Sequence, residues 1–138
     1  MITYEETHEG IVVRIDALFD WKNGRKVSAG YLLGIDEGSD GWLLSDVVVH
    51  DKAELGSACF GLFKKVTSFQ GRGVGSELLR RFEVIARSSS ATSIHGMIAG
   101  VNEAEALRLK RWYEGHGYLV SKSGNDESKW GAILKELR

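Results

Sequence analysis

Proline is absent from this chain of 138 residues. Its reversals must therefore be built from glycine, aspartate and asparagine, which tolerate or stabilise turn geometry. Cysteine occurs once, at Cys59, so no intramolecular disulfide can form. The apolar neighbours Ala58, Phe60 and Leu62 mark that thiol as a packing residue rather than a reactive group. No apolar run approaches the ~18 residues that a membrane span needs. The acidic start Tyr4-Glu5-Glu6 is unlike a signal peptide, so a cytoplasmic location is expected. An excess of charge of one sign is missing too: the net charge of −1 gives no support to a general nucleic-acid or membrane-surface role. His8 and His116 stand at no ligand-like spacing to one another or to Cys59, and no metal is expected.

Present in quantity are glycine, at 17 residues, and an ordinary mix of 43% hydrophobic and 27% charged residues. Length and composition together predict one globular domain over residues 1–138. The first half reads as β-structure. Residues 10–19 are rich in β-branched side chains, and Asn23-Gly24 signals a turn that brings 26–35 back as a hairpin partner. A second turn at 36–41 leads to a third strand over 42–50, and 57–66 reads as a fourth.

The periodicity then changes. Val74, Leu78, Phe82, Ile85 and Ala86 fall at helical spacing, which predicts a helix over 73–87 with one buried stripe. A strand follows over 93–99. Asn102 is placed to cap a second helix over 103–114, ended by Gly115 and Gly117. Final strands are expected at 118–122 and 130–137. This order predicts an α/β fold of the mixed α+β kind, a sheet with helices against it, in which 57–99 forms a right-handed parallel crossover.

The most informative stretch is Phe69-Gln70-Gly71-Arg72-Gly73-Val74-Gly75-Ser76-Glu77-Leu78-Leu79. Three glycines at alternate positions let the backbone bend tightly and bring N–H groups against a ligand. The helix that follows adds its positive end at the same place. Such a loop suits an anion, most naturally a pyrophosphate. The dinucleotide fingerprint fails, because the sixth position counted from Gly71 is Ser76 rather than glycine, and nothing supplies the Gly-Lys-Ser/Thr of a P-loop.

Gln70-x-x-Gly73-x-Gly75 between strand and helix resembles the coenzyme A loop of the GNAT N-acetyltransferase superfamily. About forty residues later, Tyr113-Glu114-Gly115-His116-Gly117-Tyr118 is similar to that family's Tyr-x-x-x-Gly-Phe/Tyr signature. The resemblance covers residues 57–137. It implies a central mixed, mostly antiparallel sheet with helices on its faces, and acetyl-CoA as cosubstrate. It further implies that backbone N–H groups of Gln70, Gly71, Arg72, Gly73, Val74, Gly75 and Ser76 hold the pyrophosphate, with Arg72 adding a charged contact. The pantetheine arm would pair with Lys64, Lys65 and Val66, one of whose N–H groups would stabilise the oxyanion. Tyr113 matches the general acid that protonates the departing thiolate, though a core aromatic beside Trp112 accounts for it as well. Asn102, eleven residues before Tyr113 where the family usually has an asparagine seven before, stands either for that cofactor-binding asparagine or simply as a helix cap.

Two departures are visible. No proline separates strand from loop. The family's two helices between its first strands are reduced here to residues 20–25, leaving the acceptor site open to a macromolecule or completed by a second copy in a homodimer. The attacking amine must be neutral, so a base is needed. Asp46, His50, Asp51 and Glu54 lie near the third strand and its exit, and Asp46, directly before Val47-Val48-Val49, is the least ordinary; a solvated strand face accounts for all four as well. His95 reads as a satisfied core histidine that could also reach the site. The expected activity is direct acetyl transfer from coenzyme A to an amine, with an inactive acyl-CoA-binding or regulatory module as the competing class. The acceptor amine is not encoded in any of these features.

Overall fold

The computed structural model describes residues 1–20, 24–50, 73–99, 102–122 and 129–137. Within them run β1 (Ile2–Glu9), β2 (Val12–Asp20), β3 (Lys26–Asp36), β4 (Trp42–Val49), α1 (Val74–Ser88), β5 (Ser93–Ala99), α2 (Glu103–Gly115), β6 (Leu119–Lys122) and β7 (Lys129–Glu136). The strands form one seven-stranded sheet in the order β1-β2-β3-β4-β5-β7-β6. It is mixed: β4 and β5 are parallel, while β1–β2, β5–β7 and β6–β7 are antiparallel. The α/β class, both helices and the last three strands are as the periodicity predicts.

Two expectations about the first strands need correction. The first strand is β1, not the segment beginning at Gly10, and β1 pairs with β2 along its whole length from Ile2↔Phe19 to Glu9↔Val12. Glu5, Glu6, Thr7, His8 and Glu9 lack strand-like hydrophobicity because β1 is an edge strand whose second half is exposed. The shortened connection between the first two strands is accordingly Gly10-Ile11, with Gly10 at φ +60°, and not 20–25. The parallel neighbour of β5 is β4, through Trp42↔Ile94, Leu43↔His95 and Leu44↔Gly96. The strand expected at 57–66 lies outside the described residues, as do Cys59, Asp51 and Glu54.

The chain gathers into two compact units, Met1–Leu33 with Asp46–Phe82, and Gly34–Ser45 with Glu83–Arg138. In the first, β2 turns Val13, Ile15 and Ala17 inward while Arg14 and Asp16 between them pair with each other at 2.9 Å. Ala29 and Leu32 of β3 and Val74, Leu78, Leu79 and Phe82 of α1 are buried in the same unit, so the predicted stripe of α1 is its core face. Gly30 approaches the Val48 carbonyl so closely that a Cβ there would collide with it.

In the second unit, Ile94 and Ile98 of β5, Ile133 of β7, and Ala106 and Tyr113 of α2 are buried. α1 ends here with Ser90 in the left-handed region at φ 64°, its N–H donating to the Arg87 carbonyl and that of Ala91 to Ala86. This is a glycine-type helix stop made by serine. Ser89 Oγ accepts from Trp42 Nε1 at 2.9 Å and donates to the Ala86 carbonyl at 2.8 Å, so Trp42 is both a packing and a hydrogen-bonded residue.

Candidate functional site

The glycine loop enters the described residues at Gly73; Lys64, Lys65, Val66, Gln70, Gly71 and Arg72 precede it and lie outside them. Gly73 has φ +77°, a conformation that L side chains adopt at a cost of about 1–2 kcal/mol. Among the described residues a Cβ on Gly73 would meet nothing within 4 Å, so the positive φ is what calls for glycine. Its carbonyl accepts the Glu77 N–H at 2.9 Å, which makes Gly73 the residue that opens α1. The first-turn N–H groups, starting at Val74, therefore have the orientation of a helix start, where an anion is favoured. Val74 is 1% exposed and pins this turn to the core, while Gly75 and Ser76 are half-buried.

Glu77 completes the turn. Arg80 donates two hydrogen bonds to it, at 2.8 and 2.6 Å, and Arg81 a third at 2.9 Å. These bonds, Arg80's foremost, hold the Glu77 carboxyl down at about 2. The Arg81 guanidinium also lies 4.5 Å from the Tyr4 ring centroid, tying α1 to β1 within this unit. Asp46 sits on β4 in the same unit and is exposed. His50 lies 6.5 Å from Tyr31, ring to ring.

The second unit holds Tyr113, 8% exposed near the end of α2. Its ring stands edge-on to Trp112 at 5.0 Å and to Tyr118 at 5.6 Å. Its carbonyl accepts the N–H groups of His116 and Tyr118, both at 3.0 Å, so the turn through Gly117 (φ +88°) folds Tyr118 back against it. The Tyr-x-x-x-Gly-Tyr spacing thus produces an edge-to-face pair. Tyr118 Oη donates to Glu83 Oε2 at 3.0 Å. Burial, followed by the Glu83 charge, pushes the Tyr118 phenol far above its ordinary value and keeps it protonated.

Two residues of this cluster escape a sequence reading. Glu83 is 8% exposed, and Lys135 Nζ binds its Oε1 at 2.9 Å and the His116 carbonyl at 2.8 Å. The available signal is that Glu83 falls four residues after Leu79 and three before Ala86, on the buried side of α1, where a carboxylate requires a partner. Lys135 on β7 gives no comparable sign.

Asn102 is the N-cap of α2: its Oδ1 accepts the Glu105 N–H at 2.8 Å. His95 is not a core histidine. It is partly exposed, and its Nε2 lies 2.6 Å from Glu37 Oε1; Gly96 and Ile94, rather than His95, face the interior of β5. Among the described residues, no three His, Cys, Asp or Glu side chains gather as a metal-ligand set, and no helix is long and apolar enough to cross a membrane.

By sequence, no family model and no curated protein matches the chain. Its likeness to solved structures is one of fold. A GNAT-family acetyltransferase from Staphylococcus aureus Mu50 superposes with a TM-score of 0.60 at 10% identity, over 92% of this chain and 69% of its own. Nourseothricin acetyltransferase gives 0.61 at 15% identity, over 94% and 67%. An aminoglycoside 6′-N-acetyltransferase complexed with coenzyme A gives 0.58 at 16% identity, over 94% and 74%. The chain has the fold of the GNAT acetyltransferases.

Proposed function

We propose that this chain, built on that fold, is an acetyl-CoA-dependent N-acetyltransferase that passes the acetyl group directly to an amine. The observation that carries the reading is Gly73. The glycine that the Gln70-x-x-Gly73-x-Gly75 pattern puts at the head of the helix has the left-handed backbone that such a loop needs, and it opens α1. The chemistry fits the ligand: a helix start offers N–H donors and a positive end to a pyrophosphate without requiring a metal. Residues Gln70 to Ser76 would hold that group, with Arg72 as its charged contact, and Lys64, Lys65 and Val66 would pair with the pantetheine arm.

In the transfer, a neutral amine nitrogen bonds to the thioester carbon and charge develops on the carbonyl oxygen, where a backbone N–H stabilises it. Collapse breaks the carbon–sulfur bond. Tyr113 gives its proton to the leaving sulfur, and Asp46, exposed on β4, takes the proton that the amine loses. Asn102 is assigned first to capping α2, and only through its amide group to the arm. No covalent enzyme intermediate is required.

Calorimetry with acetyl-CoA is the first test, and absence of binding would overturn the reading. The second is thiol release with spermidine, lysine and a short peptide with a free N-terminus. Tyr113→Phe is expected to lower kcat on the order of 10²-fold with little change in KM for acetyl-CoA. Undiminished turnover removes Tyr113 from this role. Binding without transfer by the unaltered protein identifies an acyl-CoA-binding module instead.

A further inference from the structure

Tyr113 and Tyr118 are two buried phenols whose rings touch edge to face at 5.6 Å. The Tyr118 hydroxyl is committed to Glu83 Oε2 at 3.0 Å. The carboxylate cannot swing away, because Lys135 Nζ holds its other oxygen at 2.9 Å and Arg87 Nη1 lies 3.6 Å from the same atom. Lys135 is itself fastened twice more. It donates to the His116 carbonyl at 2.8 Å and lies 5.3 Å from the Tyr118 ring centroid. The contacts therefore run from α1 through β7 to the turn that ends α2, and they close on the ring beside Tyr113. The Trp112 ring also stands edge-on to Tyr113, at 5.0 Å.

We infer that Glu83, Lys135 and Tyr118 form a positioning clamp that fixes the Tyr113 ring for proton delivery. The inference rests on the acetyl-transfer reading and deepens it. None of the three touches the reacting atoms; they act through Tyr113. A carboxylate this deep, flanked by two cations and a phenol, is costly to bury and would be replaceable by apolar packing if stability alone were at stake. What the ionic cluster adds is a fixed direction for the Tyr118 ring, and through it for Tyr113. The Tyr118 proton is held by Glu83 and its phenol strongly resists ionisation, so Tyr118 serves as a fixed support rather than a donor.

A kinetic double-mutant cycle tests this. Thiol release from acetyl-CoA is measured with whichever of spermidine, lysine or the peptide turns over, for the unaltered protein, Tyr118→Phe, Tyr113→Phe and the double variant. Tyr118→Phe keeps the ring and loses only the bond to Glu83. It is expected to lower kcat on the order of 10-fold at unchanged KM for acetyl-CoA, the scale of a small misplacement of a catalytic group. In the Tyr113→Phe background it should lower kcat no further, since there is no proton left to position. Glu83→Gln, where it folds, should reproduce the Tyr118→Phe pattern. A merely structural role would give the same loss in both backgrounds, and that result, or an undiminished kcat, overturns the clamp while leaving acetyl transfer standing. A protein that releases no thiol with any of the amines overturns the transfer reading, and the clamp with it.

Discussion

Gly73 has a positive φ and no described residue within 4 Å of where a Cβ would stand, so it separates backbone conformation from crowding. Gly73→Ala should therefore fold, at a cost of about 1–2 kcal/mol in urea denaturation, because alanine must adopt a left-handed conformation. In calorimetry the variant should also bind acetyl-CoA more weakly, since the added methyl group stands where the loop would meet the ligand. Loss of stability with unchanged affinity would detach Gly73 from the site. At this scale the sequence is legible where a residue's role follows from local spacing. Glycine at the head of a helix and asparagine before Glu103 announce a turn and a cap, and both are found. Tyr113 and Tyr118 stand out through the resemblance to the family's Tyr-x-x-x-Gly-Phe/Tyr signature. Glu83 and Lys135 do not, because their partners lie 52 residues apart in the chain, and only the tertiary fold brings them together.

Helix α1 shows how an element carries its own electrostatic support. Glu77 in its first turn is bonded to Arg80 and Arg81, and its carboxyl is held near 2 against an ordinary value of 4.5. A depressed folded-state value contributes stability that is complete above the unfolded value and is lost as pH falls through the folded one. The window is thus about pH 4.5 down to 2. Because Arg80 is largely exposed, water screens most of the effect and the contribution is small. Comparing urea midpoints of the parent and Glu77→Gln, we expect a modest advantage for the parent at pH 6 that shrinks to nothing near pH 2. A gap that stays constant across that range would show that the Glu77 bonds do not form in solution. Helices were the most legible elements, since a 3.6-residue repeat survives whatever lies across from it. Strands fared according to burial. β2 and β5 alternate inward and outward and could be read, whereas β1 could not, because an edge strand with a solvated half has no apolar pattern to display.

For the whole molecule, the sequence supports the α/β class and the succession of elements but not the order of strands. β7 lies between β5 and β6 in the sheet although it follows both in the chain, and local patterning carries no record of such an insertion. Close strand approach is visible only in the structure. Gly30→Val would drive a side chain into the Val48 carbonyl and is expected to destabilise by about 3 kcal/mol, read as a lower urea midpoint and a smaller soluble fraction. An unchanged midpoint would mean that β3 and β4 stand farther apart than described. The Gly10-Ile11 link has a different consequence. Glu9 and Val12 face one another across the ladder, Ile11 is 62% exposed, and nothing crowds Gly10. A segment spliced between Gly10 and Ile11 would leave and re-enter the chain at nearly the same point, which is the geometry that tolerates insertion. The turn is therefore a port through which a reporter or an affinity tag could be carried, with both chain ends left as they are.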